Sequence, residues 1–201
     1  MPPPIAVSGL TKRYDKFLAV DGLSFEVHAG EIFGLLGPNG AGKTSTLKML
    51  AGVMAPTGGS ILIDGIDAVA NPQAAKREIG FLPQDPYAYE KLTGREFLHF
   101  IAEVRGMPLA ERRPLFDHWF DLFELAKDAD KLIEGYSGGM LKKLLLIATF
   151  LHDPPVLLLD EPTIELDPLT VRRVRRHIED RAAAGRAVLL STHVLEIAER
   201  M

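Results

Sequence analysis

The 201-residue sequence predicts an α/β fold: a mostly parallel, buried sheet with an α-helical block inserted into it. Three observations carry this. Val156-Leu157-Leu158-Leu159 and Val188-Leu189-Leu190 are continuous apolar runs, the pattern of strands covered on both faces. Elsewhere, apolar β-type runs alternate with helical periods, the order of βαβ units. From about residue 89 to 134, by contrast, only helical periods occur. A hydrophobic fraction of 47% is that of a globular chain long enough for one full core and a small subdomain.

In chain order, candidate strands lie at 23–27, 32–36, 60–63, 79–83, 156–159 and 187–191. After the second of these comes Gly37-Pro38-Asn39-Gly40-Ala41-Gly42-Lys43-Thr44, followed by Ser45 and an apolar helix closed by Gly52. The run fits G-x-x-x-x-G-K-[ST] between a strand and a helix. Glycines let successive N–H groups curl around phosphate oxygens, and the helix that follows adds its positive end. Lys43 has the reach for the β- and γ-phosphates, and the Thr44 hydroxyl suits Mg²⁺. The run therefore predicts a P-loop core that binds a nucleoside triphosphate.

The helical block opens at Thr93-Gly94-Arg95-Glu96, a capping box before Phe97, Leu98, Phe100 and Ile101. Leu115, Phe116, Trp119, Phe120, Leu122 and Phe123 recur at helical spacing, an aromatic stripe of the core kind. Ser137 then reads as the N-cap of a helix carrying Leu144, Leu145, Ala148 and Leu151, ended by Asp153-Pro154-Pro155. Gly138 and Gly139 are poor helix formers in its first turn. Bare N–H groups aimed at an anion would explain them, although a plainly capped helix fits the same residues. Asp160 and Glu161 end the apolar strand at the sheet edge where ligands of open α/β folds bind. There Asp160 suits Mg²⁺ through water and Glu161 an attacking water; a loop start is the plain alternative. The organisation expected is a core of residues 1–84 and 136–201 with an inserted helical subdomain at 85–135.

Tyr14, the 37–44 loop, Gln84, Ser137-Gly138-Gly139, Asp160-Glu161, Asp167 and His193 occur in the order and spacing of the ATP-binding cassette (ABC) ATPases. The chain resembles that family over nearly its whole length. Singly, Tyr14 reads equally as a surface aromatic, Gln84 as a loop polar group, Asp167 as the N-cap before Pro168 and His193 as part of a helix cap. The resemblance implies that Tyr14 stacks on adenine and Gln84 touches Mg²⁺ and the attacking water. It makes Ser137, Gly138 and Gly139 the signature motif, Asp167 the D-loop acid and His193 the switch histidine at the γ-phosphate. It implies an antiparallel N-terminal β portion and head-to-tail pairing of two subunits, each ATP lying between one phosphate loop and the other signature helix. An integral membrane permease partner, a place at the inner face of the cell membrane, and ATP hydrolysis with Mg²⁺ come with it. The stretch Leu92–Leu98, Tyr136 and Met140 look most like cassettes of drug, lipid or polysaccharide exporters.

Net charge is −4, so no basic field for nucleic acid exists, and the cluster Arg172, Arg173, Arg175, Arg176 reads as a solvated helix face. The absence of cysteine fits a reducing compartment, and no apolar run reaches the ~20 residues of a membrane span. A cassette acting on ribosomes or DNA would share the motifs but usually adds a coiled coil or a second cassette. A kinase or GTPase would leave the Ser137 helix unexplained. Three features depart from the family pattern, the first being Tyr136 and Met140 in place of the commoner Leu and Gln of the signature. Leu141 replaces a basic residue, and Glu165 stands where Gly, Ala or Ser is usual. The resemblance also predicts further elements beyond Met201, so the chain reads as C-terminally shortened. A carboxylate at Glu165 is expected to repel the partner's triphosphate unless Lys142 or Lys143 of that partner reaches it.

Overall fold

The computed structural model describes residues 2–85 and 87–192. By packing, the described residues form two compact units: 2–84, 154–162 and 173–192 in one, 85 and 87–153 with 163–172 in the other. Residues 136–153, assigned to the core from sequence, group with the helical block instead.

In chain order the first unit holds β1 (Ile5–Tyr14), β2 (Phe17–Val27), β3 (Ile32–Leu36), α1 (Lys43–Leu50), β4 (Gly58–Ile63), β5 (Ile66–Asp67), α2 (Pro72–Arg77) and β6 (Ile79–Leu82). Then come α3 (Gly94–Val104), α4 (Leu109–Leu122) and α5 (Gly138–Phe150) of the second unit, β7 (Val156–Asp160), α6 (Pro168–Ala183) and β8 (Ala187–Thr192). Strands β2-β1-β4-β5 make an antiparallel sheet, and β3-β8-β7-β6 a parallel one. Every residue of β7 and β8 is buried, as their unbroken apolar runs predict. One core joins both sheets to α1: Ile5, Val7, Leu10 and Ile61 meet Leu47 and Leu50 of α1 and Val156, Leu158 and Leu189 of the parallel strands. Each such side chain removed from water contributes about 1.5–3 kcal/mol.

In the second unit α3 starts with the capping box read from sequence: Thr93 Oγ1 accepts from Glu96 N–H, and the Glu96 carboxylate accepts from Thr93 N–H. Gly94 is required there, because a Cβ would overlap the Tyr136 hydroxyl, which donates to the Asp128 carbonyl at 2.7 Å. Burial, then the charges of Asp128 and Asp130, push the Tyr136 phenol up to about 12. The aromatic stripe is core: Phe116, Trp119, Phe120 and Phe123 are buried, with the Trp119 and Phe150 rings stacked 6.0 Å apart. Arg95 ties α3 to Asp117 and Asp130, each at 2.8 Å, and lies over the Phe120 ring.

Candidate functional site

Parallel register brings the carboxyl ends of four strands level. Leu36 pairs with Thr192, Asp160 with Ser191, and Leu82 with Leu159. Three segments just past these strand ends therefore collect at one edge: the 37–42 loop after β3, Gln84 after β6, and Glu161 after β7. His193 lies outside the described residues.

The loop has the backbone its glycines predict. Gly40 and Gly42 are at φ 83° and 86°, and Gly42 is the N-cap of α1 without any side-chain cap. A Cβ at Gly42 would strike the Ala19 carbonyl oxygen of β2, so only glycine fits. Lys43 Nζ donates to the Gly37 and Pro38 carbonyls at 2.6 and 3.0 Å, folded back over the loop. Thr44 Oγ1 donates to Gln84 Oε1 at 3.1 Å. Residues 39–45 line a cleft of about 460 Å³ together with Tyr14, Phe17, Gln84 and Glu161.

Tyr14 is part-exposed at the cleft mouth. Its hydroxyl donates to Met54 Sδ, and Lys12 Nζ sits 5.0 Å from the ring centroid. Phe17, 62% exposed, lines the same cleft. Sequence reading missed it, although an apolar aromatic just after the Asp15 turn (φ 46°) is the signal that could have found it.

At the end of β7, Asp160 is fully buried; its Oδ1 accepts from Ser191 Oγ at 2.5 Å, while Oδ2 has no hydrogen-bond partner. A buried, unpaired carboxylate oxygen asks for a cation or water. This oxygen, the Thr44 hydroxyl and the Gln84 amide oxygen are all hard donors of the kind Mg²⁺ uses alongside waters and phosphates. The described residues hold no cluster of three His, Cys, Asp or Glu that could bind a metal alone. Glu161 is 6% exposed, sits at φ 47°, and donates its N–H to Ser191 Oγ at 3.1 Å. Ser191 was not singled out from sequence; a serine ending an apolar strand gives no signal until its partner across the sheet is known.

In the second unit, Ser137 caps α5 as read, accepting from Met140 N–H at 3.3 Å. Asp167 spends both oxygens on its own chain: Oδ1 accepts from Thr170 N–H at 2.9 Å, and Oδ2 from the Thr170 hydroxyl at 2.6 Å and Lys143 Nζ at 3.2 Å. These donors, Thr170 first and Lys143 second, hold its carboxyl well below the usual range. It is therefore an N-cap of α6 as well as a loop acid. Glu165, at φ 67°, lies against the first turn of α5: a Cβ at Gly138 would be 3.1 Å from Glu165 Oε2, and one at Gly139 3.2 Å from the Glu165 carbonyl oxygen. Lys143 is committed to Asp167 and Lys142 is buried, so neither is a ready counter-ion for a carboxylate from outside.

The sequence profile described as ABC transporter matches residues 20–164, which include the phosphate loop, Gln84, the Ser137 turn and both acids. The chain belongs to the ABC transporter family. Among curated relatives of that family, it is 41% identical to the Nod factor export ATP-binding protein I of Burkholderia pseudomallei (strain 1710b), covering 98% of this chain and 65% of that protein. It is 39% identical to the daunorubicin/doxorubicin resistance ATP-binding protein DrrA of Streptomyces peucetius, covering 98% and 60%. The chain thus spans less than two thirds of the length of these relatives. A solved ATP-binding subunit of an ABC transporter superposes with a TM-score of 0.92 at 33% identity, over 98% of this chain and 82% of that one.

Proposed function

We propose that this ABC-family chain binds Mg-ATP in the cleft between the 37–45 loop and the Asp160-Glu161 pair, and hydrolyses it to drive export through a membrane permease. One observation carries the reading: a phosphate loop with bare helix amides lines one cleft together with Glu161, the residue that follows the buried Asp160 and its unpaired carboxylate oxygen. Lys43 would exchange the Gly37 and Pro38 carbonyls for β- and γ-phosphate oxygens, a trade of neutral acceptors for charged ones. The Thr44 hydroxyl, the Gln84 amide oxygen and Asp160 would hold Mg²⁺, which neutralises charge on the phosphates. Glu161 would orient the attacking water, with His193 at the γ-phosphate. Tyr14 would stack on the base.

The second half of the reading concerns partners. Ser137, Gly138 and Gly139 at the start of α5 would receive the nucleotide of a second copy in a head-to-tail pair, with Asp167 in the adjoining loop. The inserted helical stretch 85–135 would meet the permease. It carries exposed apolar side chains, Tyr89 against Phe100 with Val104 one turn further along α3, the composition of an interaction surface. Among the described residues no helix is long and apolar enough to cross a membrane, so a permease at the inner face of the cell membrane would supply the path. Relatives named for Nod factor export and for daunorubicin resistance favour export as the direction.

Two substitutions test the site. Lys43→Ala should weaken Mg-ATP binding by about 1.5–3 kcal/mol in calorimetry, the worth of a charge-assisted contact. Glu161→Gln should keep ATP affinity and slow turnover by ~10²–10⁴-fold. Unchanged affinity in the first, or unchanged turnover in the second, would remove that residue from the scheme.

A further inference from the structure

A single hydroxyl holds both acids at the end of β7. Ser191 Oγ donates to Asp160 Oδ1 at 2.5 Å and accepts from Glu161 N–H at 3.1 Å. A serine hydroxyl has one hydrogen, so the polarity of this chain is fixed: amide to hydroxyl to carboxylate. Asp160 and Ser191 are wholly buried and Glu161 nearly so, where such bonds are strong and an unmade one is costly. The parallel pairing of Asp160 with Ser191, with β8 between β3 and β7, is what sets the three groups side by side.

The hydroxyl constrains each acid in its own way. Oδ1 of Asp160 is committed to it, which leaves Oδ2, unpartnered, as the oxygen available for chemistry. Glu161 has a left-handed backbone at φ 47°, a conformation that costs a non-glycine residue roughly 1–2 kcal/mol and persists only where surroundings enforce it. The bond from its N–H to Ser191 is one enforcing contact. Backbone direction at that residue decides how its side chain leaves the strand, and Glu161 lines the cleft.

We infer that Ser191 is a positioning residue for hydrolysis: it orients the Asp160 carboxylate and holds Glu161 in the backbone state that turns it to the cleft. The inference rests on the proposed ATPase reading. Its role runs through the two acids that its hydroxyl contacts.

Ser191→Ala, Ser191→Cys and Ser191→Thr, each compared with the wild type, test this by steady-state kinetics and by calorimetry with ADP in the absence of Mg²⁺. Ser191→Ala should lower kcat by about 10–100-fold, the loss expected when a reacting group is misplaced by an ångström or less. KM should stay close to wild type, and metal-free ADP affinity should change less than about twofold, since the loop is untouched. Threonine, which keeps the hydroxyl, should recover most of kcat. In a Glu161→Gln background Ser191→Ala should cost less than in the wild type, because one of the two groups it positions is already disabled. If the alanine variant does not fold, the cysteine variant, with a weaker donor, carries the same expectation at smaller size. A wild-type kcat in the folded Ala or Cys variant would overturn the inference, as would a full multiplicative loss in the double variant. Wild-type turnover indifferent to Ser191 overturns this inference alone; a wild type without turnover overturns the hydrolytic reading and this inference with it.

Discussion

Helices α1 and α5 both begin beside glycines, and their first turns are treated differently. At α1 the N-cap is Gly42 in the left-handed region, with no side-chain cap, and the loop before it is fixed by the fit of Gly42 against the Ala19 carbonyl. At α5 the N-cap is Ser137 in extended backbone, already accepting from the Met140 amide, with the Glu165 carboxylate beside Gly138. Both ends carry the same partial positive charge. The first leaves its amides to whatever arrives; the second is partly served by its own chain and has an acid at its side. Under the proposed function this separates a site that one chain fills from a contact made only when a partner's nucleotide competes successfully.

The comparison breaks most sharply at Gly42. Gly42→Ala adds left-handed strain and a collision with backbone, so a stability loss of about 3 kcal/mol or more is expected in chemical denaturation, with loss of nucleotide binding. A variant as stable as the wild type would show that the loop is not pinned by β2. Ser137→Ala should be milder, about 1 kcal/mol in stability as for other N-caps, and should leave single-chain nucleotide affinity unaltered. A fall in that affinity would put α5 in the same class as α1. Glu165→Gly should have the smallest effect on the chain itself, since glycine tolerates φ 67°, but should tighten ATP-driven pairing by about fivefold in sedimentation, the scale of one like-charge contact in a wet site. Unchanged or weaker pairing would mean that the acid is neutral or already compensated.

Legibility differed by region for physical reasons. Strands β7 and β8 are buried on both faces, so composition alone marks them, and the loop and caps are short-range patterns that a linear reading captures. β1 and the first half of β2 were not found from their own residues: Gly9 and Gly22 (φ 58° each) sit inside them and the register shifts between Val7 and Arg13, so they read as turns. β5 has two residues and α2 six, too few for any period. Of the cleft lining, the 39–45 loop, Tyr14, Gln84 and Glu161 had been singled out from sequence. Ser191 and Phe17 were not, because their meaning depends on neighbours across a sheet or across a cleft. Glu165 was conspicuous by type, but its position against Gly138 is a tertiary fact.

The lone tryptophan of the chain offers a reporter. Trp119 is buried in the helical unit, packed against Phe123 and Phe150, whereas the aromatics lining the cleft are Tyr14 and Phe17. Emission excited at the red edge of the absorption band therefore tracks the helical unit alone, while circular dichroism sums both units. Overlaid melting curves from the two signals would describe a chain that unfolds in one step; separated curves would resolve the nucleotide-binding unit from the helical one without any label being added.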